Sequence, residues 1–367
     1  MRKTLTIAIG LMAISGAYAS QPGAVYTLSN QVSGNRVLQF TRAANGTLSQ
    51  SGSISTEGKG TGTGLGNQNA LVFSEDKRYL FAVNAGSNSL SVFKTIGRNR
   101  NLELVEVEAS VGRTPISVTQ HGRFVFVLSA GDGQNPGGIR GYRQNSNGTL
   151  DAISGATAPL SAAAVGPAQI QFDKSGRSLV VTEKATNKIG IYAVGHAGLI
   201  QSWATNDSNG MTPFGFDIDR RGRVFIAEAF GGATDASALS SYRLLNNNSL
   251  DVITGSAATT ETAACWTVLT EDGRFAFTTN AGSGSISGYR IDRSGSVSLL
   301  SQDGVSGTTG ANSAPIDIAV AGKDRFLYVL GSGSHAIHSF RIANDGSLTS
   351  IDFDGCLPIG TNGLAAR

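Results

Sequence analysis

Apolar and polar residues alternate in short runs along this chain, and the runs come in sets of four. One set occupies residues 70–73, 79–83, 90–93 and 102–107, rich in Val, Leu and aromatics as half-buried strands require. Turn residues separate the runs. Glu75-Asp76-Lys77-Arg78, Lys174-Ser175-Gly176-Arg177 and Glu271-Asp272-Gly273-Arg274 lie between first and second runs. Asn45-Gly46-Thr47, Asn147-Gly148-Thr149 and Asp345-Gly346-Ser347 lie between third and fourth. An arginine at the start of the second run marks each set: Arg78, Arg123, Arg177, Arg223, Arg274 and Arg325, at intervals of 45, 54, 46, 51 and 51 residues. A four-strand unit repeating at this period predicts an all-β fold, a β-propeller with four-stranded antiparallel blades. A right-handed β-helix would need shorter, more regular coils.

Six sets are complete. The first begins with residues 25–28, of the second-strand type, and residues 363–366 follow the last full set. The two ends of the chain are therefore expected to share one blade. That makes seven blades and leaves no unpaired edge in the ring. One domain, residues 20–367, follows.

Residues 1–19 read as a secretory signal. Arg2 and Lys3 precede an apolar run from Leu5 to Ile14, and Ala17 and Ala19 fit a cleavage site. The mature chain is expected in the periplasm, outside the cell or at its surface, with no membrane span. Removing two cations takes the formal charge from +3 to about +1, since 3 − 2 = 1. No Lys/Arg run forms a nucleic-acid footprint. Export would permit Cys265 and Cys356 to pair; the sequence leaves pairing and two separate thiols both open. Four triplets, at Asn45, Asn147, Asn206 and Asn247, fit glycosylation in a eukaryotic secretory route, although a turn explains the Asn-Gly-Thr cases.

The phrases LFAVNAGS at 80–87, VTEKATN at 181–187, GSGSISGY at 282–289 and LPIGTNGLAA at 357–366 resemble the seven-bladed β-propeller lactonase family. That family includes 6-phosphogluconolactonases and carboxymuconate-cyclizing enzymes. The resemblance covers almost the whole mature chain. It implies a His and an Arg on inner strands of neighbouring blades and a Glu ending a second strand. In this chain the His position falls on Ala168 and the Arg position on Phe214. The Glu position falls at Ala229 or Phe230, beside Glu228.

In a propeller the innermost strands line a channel. Blade-joining loops and loops from second to third strands share one face, where the repeat alignment gathers Asn84, Gln169, Glu183, Lys184, Glu228, Trp266, Asn280 and Asp317. Glu183 stands where other blades have Asn84 and Asn280. Glu183 and Glu228, from consecutive blades, are candidate general bases if crowding separates their pKa values, with Lys184 or Gln169 as oxyanion donor. The plainer role for Glu183 is pairing with Lys184 or capping loop amides. Asn84, Gln169, Trp266, Asn280 and Asp317 are candidate substrate contacts. Trp266 would be either a stacking wall for a ligand or a channel plug.

No cofactor is expected. Glu183, Glu228, Asn84, Asn280 and Asp317 are hard oxygen donors that could hold a divalent cation, as in unrelated propeller lactonases, but no spacing requires one. His121, His196, His335 and His338 fall in turns, a loop and a third strand, and no nucleophile triad stands out. The stretch from Gly58 to Gly66 is expected to be a flexible rim loop. The function that follows is an exported lactonase-like hydrolase opening a small cyclic ester in the central funnel. The alternative is a non-catalytic binding propeller: an adhesin, a surface scaffold or a glycan binder.

Overall fold

In the computed structural model, which describes residues 22–97, 100–109 and 111–367, the strands form seven sheets. The signal segment lies outside the described residues. The second blade runs Leu71–Phe73, Tyr79–Asn84, Ser89–Ile96 and Asn101–Ala109. The inner strands of the next five blades are Pro115–His121, Pro167–Phe172, Pro213–Ile218, Ala264–Leu269 and Pro315–Ala321. The first blade is closed from both ends of the chain. Asn362–Ala366 supplies its inner strand and pairs antiparallel with Gly23–Leu28. Each inner strand touches the inner strands on either side, which closes the ring. One blade departs from four strands: the sixth splits its outer position between Val297–Leu299 and Gly307–Thr308.

The core lies between the blades. Each third strand carries one aromatic at the same place: Phe40, Phe93, Tyr142, Tyr192, Tyr242, Tyr289 and Phe340, all buried. The tyrosines also staple blades together, since Tyr192 Oη donates to Pro159 O at 3.0 Å and Tyr289 Oη to Ala257 O at 3.0 Å. The marker arginines sit on the turn that precedes the second strand or, as Arg223 does, open that strand. Arg78 pairs with Asp76 and Arg274 with Asp272, each at 2.6 Å, and Arg274 lies over Phe275. The outer turns pack onto the neighbouring blade. At Gly148 (φ +98°) a Cβ would lie 2.3 Å from the Tyr79 ring, so both conformation and space demand glycine.

Candidate active site

The second strands of the fourth and fifth blades, Ser178–Glu183 and Arg223–Glu228, end in the two candidate bases. Both carboxylates are buried one strand out from the channel. Glu183 accepts from Ser161 N at 2.9 Å and Thr186 Oγ1 at 2.9 Å, and also from Ser161 Oγ. Glu228 accepts from Gly210 N at 2.8 Å, Ser256 Oγ at 2.6 Å and Tyr242 Oη at 3.3 Å. Every oxygen is engaged by a donor of the entering loop or the same blade. The two carboxylates thus act as separate clamps, each on its own loop and blade. Asn84 does the same in the second blade, donating to Ser89 and Ser91 and accepting from Asn35. Asn280 likewise donates to Ser285 and Ser287. All four side chains hold loops or strands of their own blades, with Asn280 Oδ1 left without a partner, and among the described residues no three His, Cys, Asp or Glu lie together as a metal-binding group. Glu228→Ala should cost roughly 1–3 kcal/mol in urea unfolding, because the Gly210 amide is left unpaired. Glu228→Gln, which keeps an acceptor there, should retain both stability and turnover.

The mouth on this face is filled by the chain itself. The glycine-rich stretch from Gly58 leads into Asn67-Gln68-Asn69, which lie across the axis, so the expected rim loop ends as a plug. Trp266 Nε1 donates to Asn67 O at 2.6 Å, and Asn362 Nδ2 to Asn67 Oδ1 at 3.0 Å. Gln68 N donates to Ala168 O at 3.1 Å, and Gln68 exchanges side-chain bonds with Thr267 N and O. Val118 N donates to Asn69 O. At Gly215 a Cβ would stand 2.0 Å from Gln68 Oε1, so glycine makes room for the plug. Trp266 packs against Phe214 with ring centroids 4.9 Å apart and anchors this plug.

Lys184 reaches the same place. Its ammonium donates to Gly66 O and lies 4.5 Å from the Phe214 ring centroid, and burial pushes its pKa down to about 8. Gln169 is also withdrawn from any ligand: it accepts from Phe216 N at 2.7 Å and donates to Phe216 O and Gln171 Oε1, tying the fourth blade to the fifth. Cys265, beside Trp266, is buried, Cys356 is exposed, and both are free thiols.

Asp317 does not occupy the slot that the repeat alignment assigned to it. Gln169 pairs with Thr182 and Trp266 with Thr279, whereas in the seventh blade Ile316 pairs with Leu330 and Asp317 is the unpaired residue of a bulge, at φ +53°. Its carboxyl is buried, accepts from Ile318 N at 2.9 Å, and leaves Oδ2 without a partner. Burial raises its pKa to about 7. The folded state therefore holds a proton that the unfolded chain releases near pH 4. Stability from this group is full below about pH 4 and is lost as pH rises to about 7. Asp317→Asn should accordingly gain up to about 4 kcal/mol on wild type between pH 4 and pH 8. Urea midpoints at the two pH values measure this; equal differences would refute it.

Beneath the plug the axis is open. A cavity of about 320 Å³ opens on the opposite face, among the turns that join first to second strands. Its floor is Gln68 and Asn69. Its walls include Val72, Gln171, Asp217 and Val268, each six residues before a marker arginine and each half-buried. Glu75, His121, Asp173 and Lys174 surround the mouth. Asp217 accepts from Ile218 N at 2.7 Å, Gln171 Nε2 at 2.9 Å and Leu269 N at 3.0 Å. Its two oxygens are thus held in place by three donors. Sequence reasoning missed Gln171 and Asp217. A signal was present: six residues before the marker arginines, Gln171 and Asp217 stand with Ser117 against Val72, Val268 and Ala319.

These features define a closed seven-bladed propeller with one plugged and one open axial mouth. The chain belongs to the family described as "Lactonase, 7-bladed beta-propeller", whose model matches residues 23–153, 139–230 and 235–358. No curated protein matches it in sequence. Among solved structures it is similar to a putative 6-phosphogluconolactonase from Bacteroides fragilis, with a TM-score of 0.71 and 15% identity over 96% of this chain and 99% of that one. It is similar also to a periplasmic gluconolactonase from Pseudomonas aeruginosa, with a TM-score of 0.72 and 15% identity over 94% and 99%. At such identities the likeness is one of fold.

Proposed function

We propose that this protein is an exported lactonase-type hydrolase that binds a small, hydroxyl-rich cyclic ester in the axial cavity. The observation that carries this reading is the cavity itself. It is of a size for one small ligand, walled by apolar strands and furnished with a few fixed polar groups, Asn69, Gln171 and Asp217. Family membership supports the reaction class, and the amino-terminal signal pattern supports export.

The test is turnover. Purified mature protein is offered a panel of γ- and δ-lactones, and acid release is followed at constant pH. Opening of at least one lactone above the spontaneous rate is expected. No turnover across the panel would favour the second reading, a ligand-binding propeller. That reading is supported by Ala168 and Phe214 at the family's histidine and arginine positions.

A further inference from the structure

We propose that His121, held by Glu75, is the general base of lactone opening at the mouth of the axial cavity. This rests on the hydrolase reading above. The two residues come from neighbouring blades, Glu75 from the turn of the second and His121 from the end of the third blade's inner strand. His121 Nδ1 lies 2.7 Å from Glu75 Oε1, and Glu75 Oε2 accepts from Gly122 N at 2.9 Å. The carboxylate is thus fixed at both oxygens and in turn fixes the ring. A proton on Nδ1 leaves the lone pair on Nε2, the ring nitrogen beside Gly176, where a Cβ would come within 2.4 Å of it. The ring is confined between Phe172, 5.7 Å away between centroids, and Gly176, where a Cβ would come within 2.0 Å of Cδ2.

A base oriented by a third group at the entrance of a ligand-sized cavity is the arrangement that activates water. The alternative base in the cavity, Asp217, is spent on three donors. Lys174 at the same mouth is exposed, without an ion-pair partner among the described residues, and supplies a cation for developing negative charge. In the proposed step Nε2 removes a proton from water as its oxygen bonds to the lactone carbonyl carbon. The tetrahedral oxyanion then collapses, the ring C–O bond breaks, and the leaving oxygen takes the proton back from the imidazolium. One water is consumed and one hydroxy acid is formed.

The experiment compares wild type, His121→Gln and Glu75→Gln on the best lactone of the panel. His121→Gln should lower kcat by roughly 10²–10⁴-fold with little change in KM. Glu75→Gln, which removes the charged acceptor that holds Nδ1–H, should lower kcat by roughly 10-fold or more with KM and melting temperature near wild type. A role confined to clasping two blades would instead lower the melting temperature and leave kcat unchanged. Wild-type turnover with an unchanged kcat in either variant overturns the dyad and leaves the hydrolase reading standing. No wild-type turnover on any lactone overturns both.

Discussion

Replacing Val268 by tryptophan is expected to lower kcat/KM on every lactone the protein opens by about 10²-fold or more. Val268 pairs with Phe277 on the inner strand of the sixth blade, and it is half-buried because it faces the axial cavity. The cavity holds about 320 Å³, so an indole there takes much of the space a small cyclic ester would use. Displacing a substrate by an ångström is enough for a loss of this size. The backbone pairing of the strand is untouched, and the melting temperature should stay within a few degrees. Lys184→Ala, on the plugged face, is the control and should leave turnover near wild type. An active Val268→Trp would place the reaction outside the axial cavity.

Deleting residues 361–367 is expected to abolish cooperative folding. Those residues supply a strand whose positions are all buried and whose partner, Gly23–Leu28, is also fully buried. Thr27 Oγ1 donates to Gly363 O at 2.6 Å, and Arg367 N and O bond Ala24. Asn362 also holds the plug through Asn67. Without the strand, a buried row of backbone groups has no partner, and several such groups at roughly 1–3 kcal/mol each exceed the margin of a marginally stable fold. Loss of the sigmoidal urea transition and of near-ultraviolet circular dichroism would be the signature. A peptide of residues 360–367 added in trans should recover part of it. A truncated chain that still melts sharply within a few degrees of wild type would refute this account of closure.

How much of the site was legible can be judged residue by residue. Glu183 stands out because it replaces an asparagine of the repeat, and of the two roles open to it, base or cap of loop amides, its partners fit the cap. The position ends a second strand, one layer away from the axis, and its partners Ser161 and Thr186 are local donors. A capping carboxylate and a catalytic one look alike in sequence; only the donors around them differ. Asp317 misled for another reason. The fourth and sixth blades bulge at Ala168 and Cys265, just before the aligned residue, whereas the seventh bulges at the aligned residue itself, so equal spacing brings Asp317 to an unpaired place. Gln171 and Asp217 were readable as polar exceptions. They became informative only once the open mouth was known to lie on their side.

By itself the sequence determined the strands, their grouping in fours, the number of blades and the closure of the ring through both chain ends. The strands and their grouping follow from local alternation, turn chemistry and period, carried within about fifty residues, and closure follows from matching the incomplete first set to the spare last strand. Tertiary structure decided which mouth is open. That choice rests on Asn67-Gln68-Asn69 crossing the axis to bond Trp266 and Thr267, partners 199 residues away in sequence, with a glycine at 215 leaving room. No local pattern encodes such contacts. They exist only when distant blades have been brought round the ring, and they move the candidate site from the face of the blade-joining loops to the face beneath it.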